Sequence, residues 1–371
     1  MAVNINGQVF LKLKLGDLEI NNNIFKKLVI LQEADFVIPT FELTLLMFDM
    51  SLISFLSETN IPLKIGIGTN ETNVKTYKIR ILNYDVIREN SRFNFKISGI
   101  FDFKDFINNV EIKSYKNLTS DQVLKQFKTV KPIIEYKGND KQTWIKHNTS
   151  EKEFAQKIVQ HAFTNNDDLL LASLNIKDTS LRVISIKEAL KKEHKFLFDD
   201  NFFVPKDKKI LFNKMTVNSD NGIWQYILNE GRSLPVFNNI TFNLDLYEQN
   251  TKSIKNQKNY NKVQKNRNFY TEIDNGNTHK NYFQAFINQF SFKTNLFSKN
   301  VYIEIDRYFF DEDKLQVLDT VKLLPNERTK ISDTLKGKYI LTGKYVYFTP
   351  NHFNQRFRLN RDYNLNLNEN K

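Results

Sequence analysis

The sequence has no cysteine and no long apolar run, and both absences limit what the chain can be. Without cysteine it forms neither a disulfide framework nor a thiolate metal site, which fits assembly in a reducing cytoplasm. No apolar stretch approaches the ~20 residues that span a bilayer. The first residues also lack the basic and apolar regions of a secretory signal. We therefore expect no membrane insertion.

Residues with catalytic or metal-binding chemistry are also sparse. The five histidines are scattered, with no His-X-X-X-His pair and no carboxylate at ligand spacing. The Gly-X-Gly of residues 66–68 is typical of a turn or bulge, and the acidic clusters at 199–200 and 311–313 are typical of loops. Nothing beside these clusters supplies a partner base or a substrate pocket. We expect no catalytic residue, no cofactor and no metal.

Basic residues are in excess. The chain of 371 residues has 54 Lys and Arg against 42 Asp and Glu, a net charge of +12. Such a charge favours polyanions, although abundant lysine and asparagine also follow from the nucleotide composition of a genome. The basic segment 252–267 suits phosphate contact and base stacking on Tyr260, but we favour a solvated loop. Its candidate polyanion contacts are Lys252, Lys255, Lys258, Lys262, Lys265 and Arg267.

The N-terminal third alternates apolar and polar residues with the period of a half-buried strand. The alternating runs are residues 8–15, 41–47, 75–82 and 93–101. Within the connecting segment 85–91, Asn90-Ser91 suits a turn. Residues 1–112 are therefore predicted to form a first antiparallel β-barrel or sandwich.

Helical signals begin after Tyr115. Residues 118–127 place a Thr-Ser-Asp start before an apolar stripe, and residues 149–163 contain Ser150 and Glu153 at capping-box spacing. In such a box the Ser hydroxyl accepts from the third helical N–H, while the Glu carboxylate accepts from the cap N–H. Short helices with intervening strands predict an α+β domain over residues 113–204.

The remaining residues predict a second β-barrel that an insertion interrupts. Residues 221–233 predict a helix that ends near Gly231, and residues 239–247 predict an alternating strand. Residues 249–267 have almost no apolar side chains, as in an exposed insertion. Alternating runs resume at 301–309, 319–324, 337–348 and 354–364. The predicted division is a second barrel of residues 205–245 and 290–365, an insertion of 246–289 and a tail of 366–371.

Five motifs follow one another between residues 140 and 364. They are QTWI with a capped helix and a His in 140–163, a Gly-Arg-Ser end in 217–233, His279, Asn281, Tyr282 and Ala285 in 278–290, GKYILTG in 337–343, and RLNRDYN in 358–364. In this order they resemble segments of the central baseplate hub protein of contractile-tailed phages. That family is related to the N-terminal hub region of the type VI secretion spike proteins, VgrG.

The resemblance implies a structural subunit rather than an enzyme. It implies a mainly β fold with two tube-like barrels and smaller inserted domains, in which three copies form a pseudo-six-fold ring. The ring joins a six-fold tail tube to a trimeric spike and lets DNA pass, with the α+β domain and the insertion facing the spike.

The implied partners are two further copies, tube or tube-adaptor proteins and the spike. The implied location is a virion tail baseplate assembled in the host cytoplasm. Because no β-helical spike follows Tyr363, we expect the spike to be a separate protein.

Two other functions are compatible with parts of the sequence. A basic nucleic-acid-binding protein with a β-rich core would use segment 252–267 as its electrostatic arm, and its affinity would fall steeply with salt. A glycan-cleaving or peptidoglycan-cleaving tail enzyme is disfavoured, because no carboxylate pair with a recognisable frame occurs.

Overall fold

The computed structural model describes most of the chain. The described residues are 13–15, 18–20, 23–57, 63–67, 75–165, 168–199, 209–219, 230–248, 264–268, 272–274, 278–297, 299–305, 315–325, 335–350 and 352–361. Over these ranges the fold is mainly β, as the sequence predicts. None of the helices in these ranges is long and apolar enough to cross a membrane.

The N-terminal region is an antiparallel sheet. Its elements are β1 (Leu13–Leu15), β2 (Leu18–Ile20), β3 (Phe25–Glu33), β4 (Thr40–Met47), α1 (Leu52–Ser57), β5 (Leu63–Ile67), β6 (Lys75–Glu89) and β7 (Arg92–Phe101). The strands pair in the order β3-β4-β7-β6-β5-β1-β2. Their core-facing residues, among them Leu28, Leu43 and Ile97, are fully buried. The strands predicted at 41–47 and 93–101 are confirmed, whereas only part of the predicted strand 8–15 lies within the described residues.

Strand β6 is longer than its sequence pattern predicts. Residues 85–89, which we assigned to the connection, pair with β7 from Asp85 opposite Lys96 to Glu89 opposite Arg92. A partner strand is available along this whole length, and pairing extends β6 beyond its alternating part. The predicted turn is confirmed at Asn90, whose φ of 56° is left-handed backbone that asparagine tolerates.

The middle of the chain mixes helices with short strands. Its elements are α2 (Lys104–Asn108), β8 (Glu111–Leu118), α3 (Ser120–Leu124), β9 (Lys131–Glu135), β10 (Gln142–Thr149), α4 (Glu151–His161), β11 (Leu170–Asn175), β12 (Ser180–Ser185) and α5 (Ile186–Lys191). Strand β8 pairs with β10, and β12 lies between β11 and β9. The predicted capping box of α4 is confirmed: Ser150 Oγ accepts from Glu153 N at 3.1 Å and Glu153 Oε2 accepts from Ser150 N at 2.9 Å.

The C-terminal half contains the remaining strands and the longest described helix. Its elements are β13 (Phe196–Asp199), β14 (Lys209–Leu211), β15 (Lys214–Ser219), β16 (Glu230–Asn238), β17 (Leu244–Glu248), β18 (Gln264–Asn268), β19 (Glu272–Asp274), α6 (Tyr282–Phe297), β20 (Lys299–Ile305), β21 (Thr320–Leu324), β22 (Gly337–Phe348) and β23 (Phe353–Asn360). Strands β20 to β23 confirm the four predicted alternating runs over their described residues. Helix α6 crosses residue 290, where the sequence predicted that the second barrel resumes.

Two local predictions near residue 240 are wrong in part. The helix expected over 221–233 stays a prediction for its first nine residues, which lie outside the described part, whereas residues 230–233 belong to β16, where they pair with β17 and β18. The strand expected over 239–247 begins only at Leu244. The Asn238 side chain instead accepts hydrogen bonds from the backbone of Ile240 and Thr241 and thereby forms a turn.

Strand β22 connects the N-terminal and C-terminal strands in one sheet. One edge of β22 pairs with β21 through residues 337–340 and with β3 through residues 343–348, while its other edge pairs with β23. Fourteen of the described strands therefore form a single sheet. Within the described residues neither region closes into a barrel, so the two-barrel arrangement stays a prediction.

A polar network fixes the seam where β3, β22 and β23 meet. Glu33 accepts hydrogen bonds from the Tyr345 hydroxyl and from the Arg358 guanidinium, the latter at 3.1 Å. Arg358 also donates to the hydroxyl and the carbonyl of Thr342, each at 3.2 Å. Burial, together with the Glu33 hydrogen bond, raises the pKa of the Tyr345 hydroxyl, which therefore remains a donor. These contacts tie three strands from distant parts of the sequence.

Gly343, the last residue of the GKYILTG motif, lies at an irregularity in the pairing of β22 with β23. A Cβ atom there would lie 3.0 Å from the Tyr345 ring and 3.2 Å from Arg358 Cβ. Such distances are tighter than ordinary packing contacts, so a larger residue would displace the two side chains that bind Glu33. Gly343, which has no side chain, therefore leaves the room that Tyr345 and Arg358 need beside Glu33.

A second polar network joins the middle of the chain to the segment before β21. Arg182 of β12 donates to Glu135 and to Asp319, each at 2.7 Å. Asp319, which is 5% exposed, also accepts from Lys195 Nζ at 2.9 Å. Because Arg182 and Asp319 have little access to water, the pair is screened weakly and constrains the two segments to one arrangement.

We expect Arg358→Met to lower the free energy of unfolding by about 2 kcal/mol, because it leaves the partly buried Glu33 carboxylate without its cation. The double variant Glu33→Gln, Arg358→Met should recover part of this loss, since no unpaired charge then remains. Urea unfolding followed by circular dichroism measures both values. Wild-type stability of Arg358→Met would contradict a supporting role for the seam network.

Candidate functional site: a histidine junction

The two motif segments 140–163 and 278–290 meet at one place, which we call the histidine junction: Trp144 of β10, His161 at the end of α4, and His279, Tyr282 and Phe286 around the start of α6. The Trp144 ring centroid lies 6.4 Å from that of His279 and 6.2 Å from that of Tyr282. Gln142 Oε1 accepts from the His279 backbone N–H at 2.8 Å, which ties the segment before α6 to β10.

His161 is the buried centre of the junction. Its ring stacks on Tyr282, with centroids 3.8 Å apart and planes at 11°, and on Phe286 at 5.0 Å. Its Nδ1 lies 3.3 Å from the Tyr282 carbonyl oxygen. Because a carbonyl can only accept, Nδ1 carries the proton. Burial lowers the pKa of His161 to about 3, so the ring is neutral near pH 7.

His279 makes the reciprocal contact, from the segment before α6 to the backbone at the end of α4. Its Nε2 lies 3.1 Å from the His161 carbonyl oxygen, and its Nδ1 accepts from the Asn281 backbone N–H at 3.2 Å. Nε2 therefore carries the proton of a neutral ring. Burial lowers the pKa of His279, and protonation of Nδ1 would also remove the acceptor for Asn281. The two histidines hold the ends of α4 and of the segment before α6 together.

Buried polar groups beside the junction are likewise engaged with backbone. Asp140 is 1% exposed and accepts from Ser120 N and Phe163 N, each at 2.9 Å. The Ser120 hydroxyl accepts from the Tyr136 hydroxyl at 3.0 Å. This arrangement supports the loops and the start of α3, and it does not present an activated nucleophile.

The described residues contain no group of three or more His, Asp or Glu that could hold a metal ion. The structure brings His161 and His279 together, although the five histidines are scattered along the sequence. One signal was available for His161, which continues the Phe154 and Ile158 stripe of α4 at helical spacing. No local signal pairs His279 with it, because 118 residues separate the two.

The candidate polyanion contacts divide into two groups. Lys252, Lys255, Lys258 and Lys262 lie outside the described residues. Lys265 and Arg267 lie in β18, which pairs in parallel with β16 and places Arg267 opposite Arg232. The end of segment 252–267 is therefore a strand rather than the loop that we favoured. Polyanion binding by these residues stays a prediction.

The fold is similar to those of two tail proteins, one of which comes from a prophage. The tail protein of Neisseria meningitidis MC58 superposes with a TM-score of 0.59 at 11% identity, over 95% of this chain and 96% of that chain. The 43 kDa tail protein of prophage MuSo2 from Shewanella oneidensis superposes with a TM-score of 0.60 at 9% identity, over 96% of this chain and 98% of that one. The two likenesses cover nearly the full length of both partners in each comparison.

A third similar structure is a component of the type VI secretion system of E. coli, described as similar to the T4 tail proteins gp27 and gp5. It matches with a TM-score of 0.49 at 6% identity, over 94% of this chain and 76% of that chain. No family model matches the sequence, and no curated protein matches it. We base the fold assignment on the two tail proteins.

Acidification should weaken the junction. The folded-state pKa of His161, about 3, lies below its ordinary value of 6.5, so the unfolded chain binds more protons between these values. The contribution of His161 to the free energy of unfolding is therefore fully present above pH 6.5. It falls as the pH decreases towards 3, by up to about 1.4 kcal/mol per pH unit. Urea midpoints measured between pH 7 and pH 4 test the slope.

His161→Gln provides the comparison, because glutamine keeps a donor for the Tyr282 carbonyl but does not titrate. It should be less stable than wild type at pH 7, where the ring stacking is lost, and the difference should shrink at lower pH. His147→Gln, at an exposed position, is the control. A constant difference across the pH range would show that His161 does not titrate with unfolding.

Two deletions test the basic segment. Removal of residues 252–262 should leave the melting temperature within about 2 °C of wild type, because that stretch has little apolar area to bury. Removal of residues 252–267 should lower it further, because β16 then loses most of its pairing with β18. Differential scanning calorimetry compares the two variants. Equal melting temperatures for both deletions would show that β18 contributes no stability.

Proposed function

We propose, from the fold that this chain shares with two tail proteins, one of them from a prophage, that it is a structural subunit of a phage tail baseplate, the central hub. The observation that carries the proposal is the likeness over at least 95% of this chain and of both tail proteins. Similarity that extends over whole chains favours a common architecture rather than one shared domain. On this proposal the chain acts through its interfaces and catalyses no reaction.

The contacts of the described residues support a structural role. The hub-like motifs of 140–163 and 278–290 meet at the histidine junction, while GKYILTG and the start of RLNRDYN meet at the seam between β22 and β23. In both places the polar side chains bind backbone groups or each other. Side chains in these motifs thus hold together elements that are distant in sequence.

The proposed assembly is a homotrimer. Two tube-like barrels per chain, residues 1–112 and residues 205–245 with 290–365, would give three copies six similar units around a channel. One face of this ring binds the six-fold tube or its adaptor, and the other binds a trimeric spike. The α+β domain (113–204) and the insertion (246–289) face the spike, and DNA passes through the channel during delivery from the virion.

The basic segment has a secondary place in this proposal. Lys252, Lys255, Lys258 and Lys262, with Lys265 and Arg267, contact phosphates without reading a sequence. On the hub proposal the purified chain shows little salt-dependent affinity for DNA, whereas a nucleic-acid-binding protein loses affinity steeply between low and moderate salt. Tight, sequence-selective binding of duplex DNA would instead favour a nucleic-acid-binding protein.

We expect the purified chain to be a closed ring of three copies. Light scattering after size exclusion should give three times the chain mass of 43.9 kDa. Electron microscopy should show a three-fold particle whose inner outline has six similar units and an open channel. A chain that remains monomeric at high concentration and also with its neighbouring tail proteins would contradict the proposed hub.

A further inference from the structure

The β16–β17 hairpin exposes apolar side chains that its own chain leaves largely in contact with solvent. Ile240 is 65% exposed, Phe242 77%, Leu244 64% and Leu246 54%. Leu244 and Leu246 alternate along β17 and therefore share one side of that strand, while Ile240 and Phe242 lie in the turn that precedes it. Exposed apolar residues grouped within seven positions of one hairpin mark an interaction site more often than chance exposure.

The first strand of the same hairpin is packed against the chain. Leu234, Pro235 and Val236 are buried, and the Tyr247 ring lies 5.5 Å from that of Phe283 in α6. Exposure begins at the turn and continues into β17, where Asp245 is exposed as well as Leu244 and Leu246. The exposed apolar residues therefore belong to a hairpin that its first strand anchors to the fold.

Hydrogen bonds order the turn that carries Ile240 and Phe242. Asn238 Oδ1 accepts from Ile240 N at 2.9 Å and from Thr241 N at 3.0 Å. The backbone of Asn238 also accepts from Phe242 N at 2.8 Å and donates to the Asn243 carbonyl at 2.8 Å. Ordered apolar side chains lose little conformational entropy on binding, which favours them as anchors of an interface.

Phe242 is costly to the fold in this position. Its φ of 56° is left-handed backbone, where asparagine or glycine is favoured and a bulky residue is strained. Within the chain its ring makes an edge contact with Phe237, with centroids 6.4 Å apart, and 77% of Phe242 remains exposed. A strained and exposed aromatic residue indicates a role outside its own chain.

Charge identifies the occupant of this surface. Residues 233–251 contain no Lys or Arg but do contain Asp245 and Glu248, in a chain whose net charge is +12. Two copies repel each other through most of their surface, whereas an apolar hairpin with acidic residues is complementary to the basic remainder of another copy. Within residues 233–251 phosphates would meet only like charge, which disfavours a nucleic acid at the hairpin itself.

We propose that the β16–β17 hairpin, residues 238–246, binds a neighbouring copy of the same chain, with Phe242 and Leu244 as its apolar anchors. This inference rests on the proposed ring and assigns one of its contacts. Because the hairpin and the surface that receives it are different parts of the chain, the contact is heterologous, and repetition of it around an axis generates a closed ring.

Phe242→Asn tests the assignment, because asparagine suits the left-handed backbone while it removes the anchor. The melting temperature of the variant should equal or exceed that of wild type, and the dissociation constant of the oligomer should rise by at least about 30-fold. Thr241→Asn introduces the same side chain at the neighbouring exposed position and should leave the oligomer unchanged. Analytical ultracentrifugation of the full chain measures all three proteins.

The outcomes separate this inference from the proposed function. A wild-type oligomer that Phe242→Asn leaves unchanged would overturn the hairpin contact alone, whereas a monomeric wild type would overturn the ring as well. A photoreactive residue at position 242 should crosslink to another copy of the chain. Self-association that survives in Phe242→Asn while binding of another tail protein is lost would assign the hairpin to that partner and overturn the inference.

Discussion

Antiparallel pairing between β3 and β22 is the contact on which the rest of the architecture depends. Six residue pairs, from Glu33 opposite Gly343 to Leu28 opposite Phe348, bring the N-terminal and C-terminal strands into one sheet. Ile30 and Val346 lie opposite each other in this pairing, and both are fully buried. Separation of the two strands would open the hydrogen-bonding edges of both and expose the apolar core beneath them.

Local structure was largely predictable from the sequence, because its signals lie within a few residues of one another. Alternation identified β4, β7 and β20 to β23, and Ser150 with Glu153 identified the start of α4. The pairing of β3 with β22 has no such signal, since either strand would present the same alternation to any partner. Errors near residue 240 have a local cause, because the Asn238 side chain forms a turn where alternation alone predicted a strand.

The histidine junction illustrates the same limit for a candidate site. Each segment was singled out by its motif, but the proximity of His161 and His279 depends on how α4 and α6 pack. Both rings use their nitrogens to bind backbone groups, and both are neutral near pH 7 because burial lowers their pKa. Aromatic and polar groups that could suggest chemistry in the sequence thus stabilise an interface between elements.

The β3–β22 pairing also has a consequence for the order in which the protein folds. Tyr345 and its partner Glu33 are 312 residues apart, so contact order is high and the closure of this loop is slow. During synthesis, β3 emerges from the ribosome long before β22 and retains an unpaired edge until β22 has been translated. Nascent chains on one messenger would then carry the same open edge side by side, and a chaperone that covers β3 would favour pairing within a chain over pairing between chains.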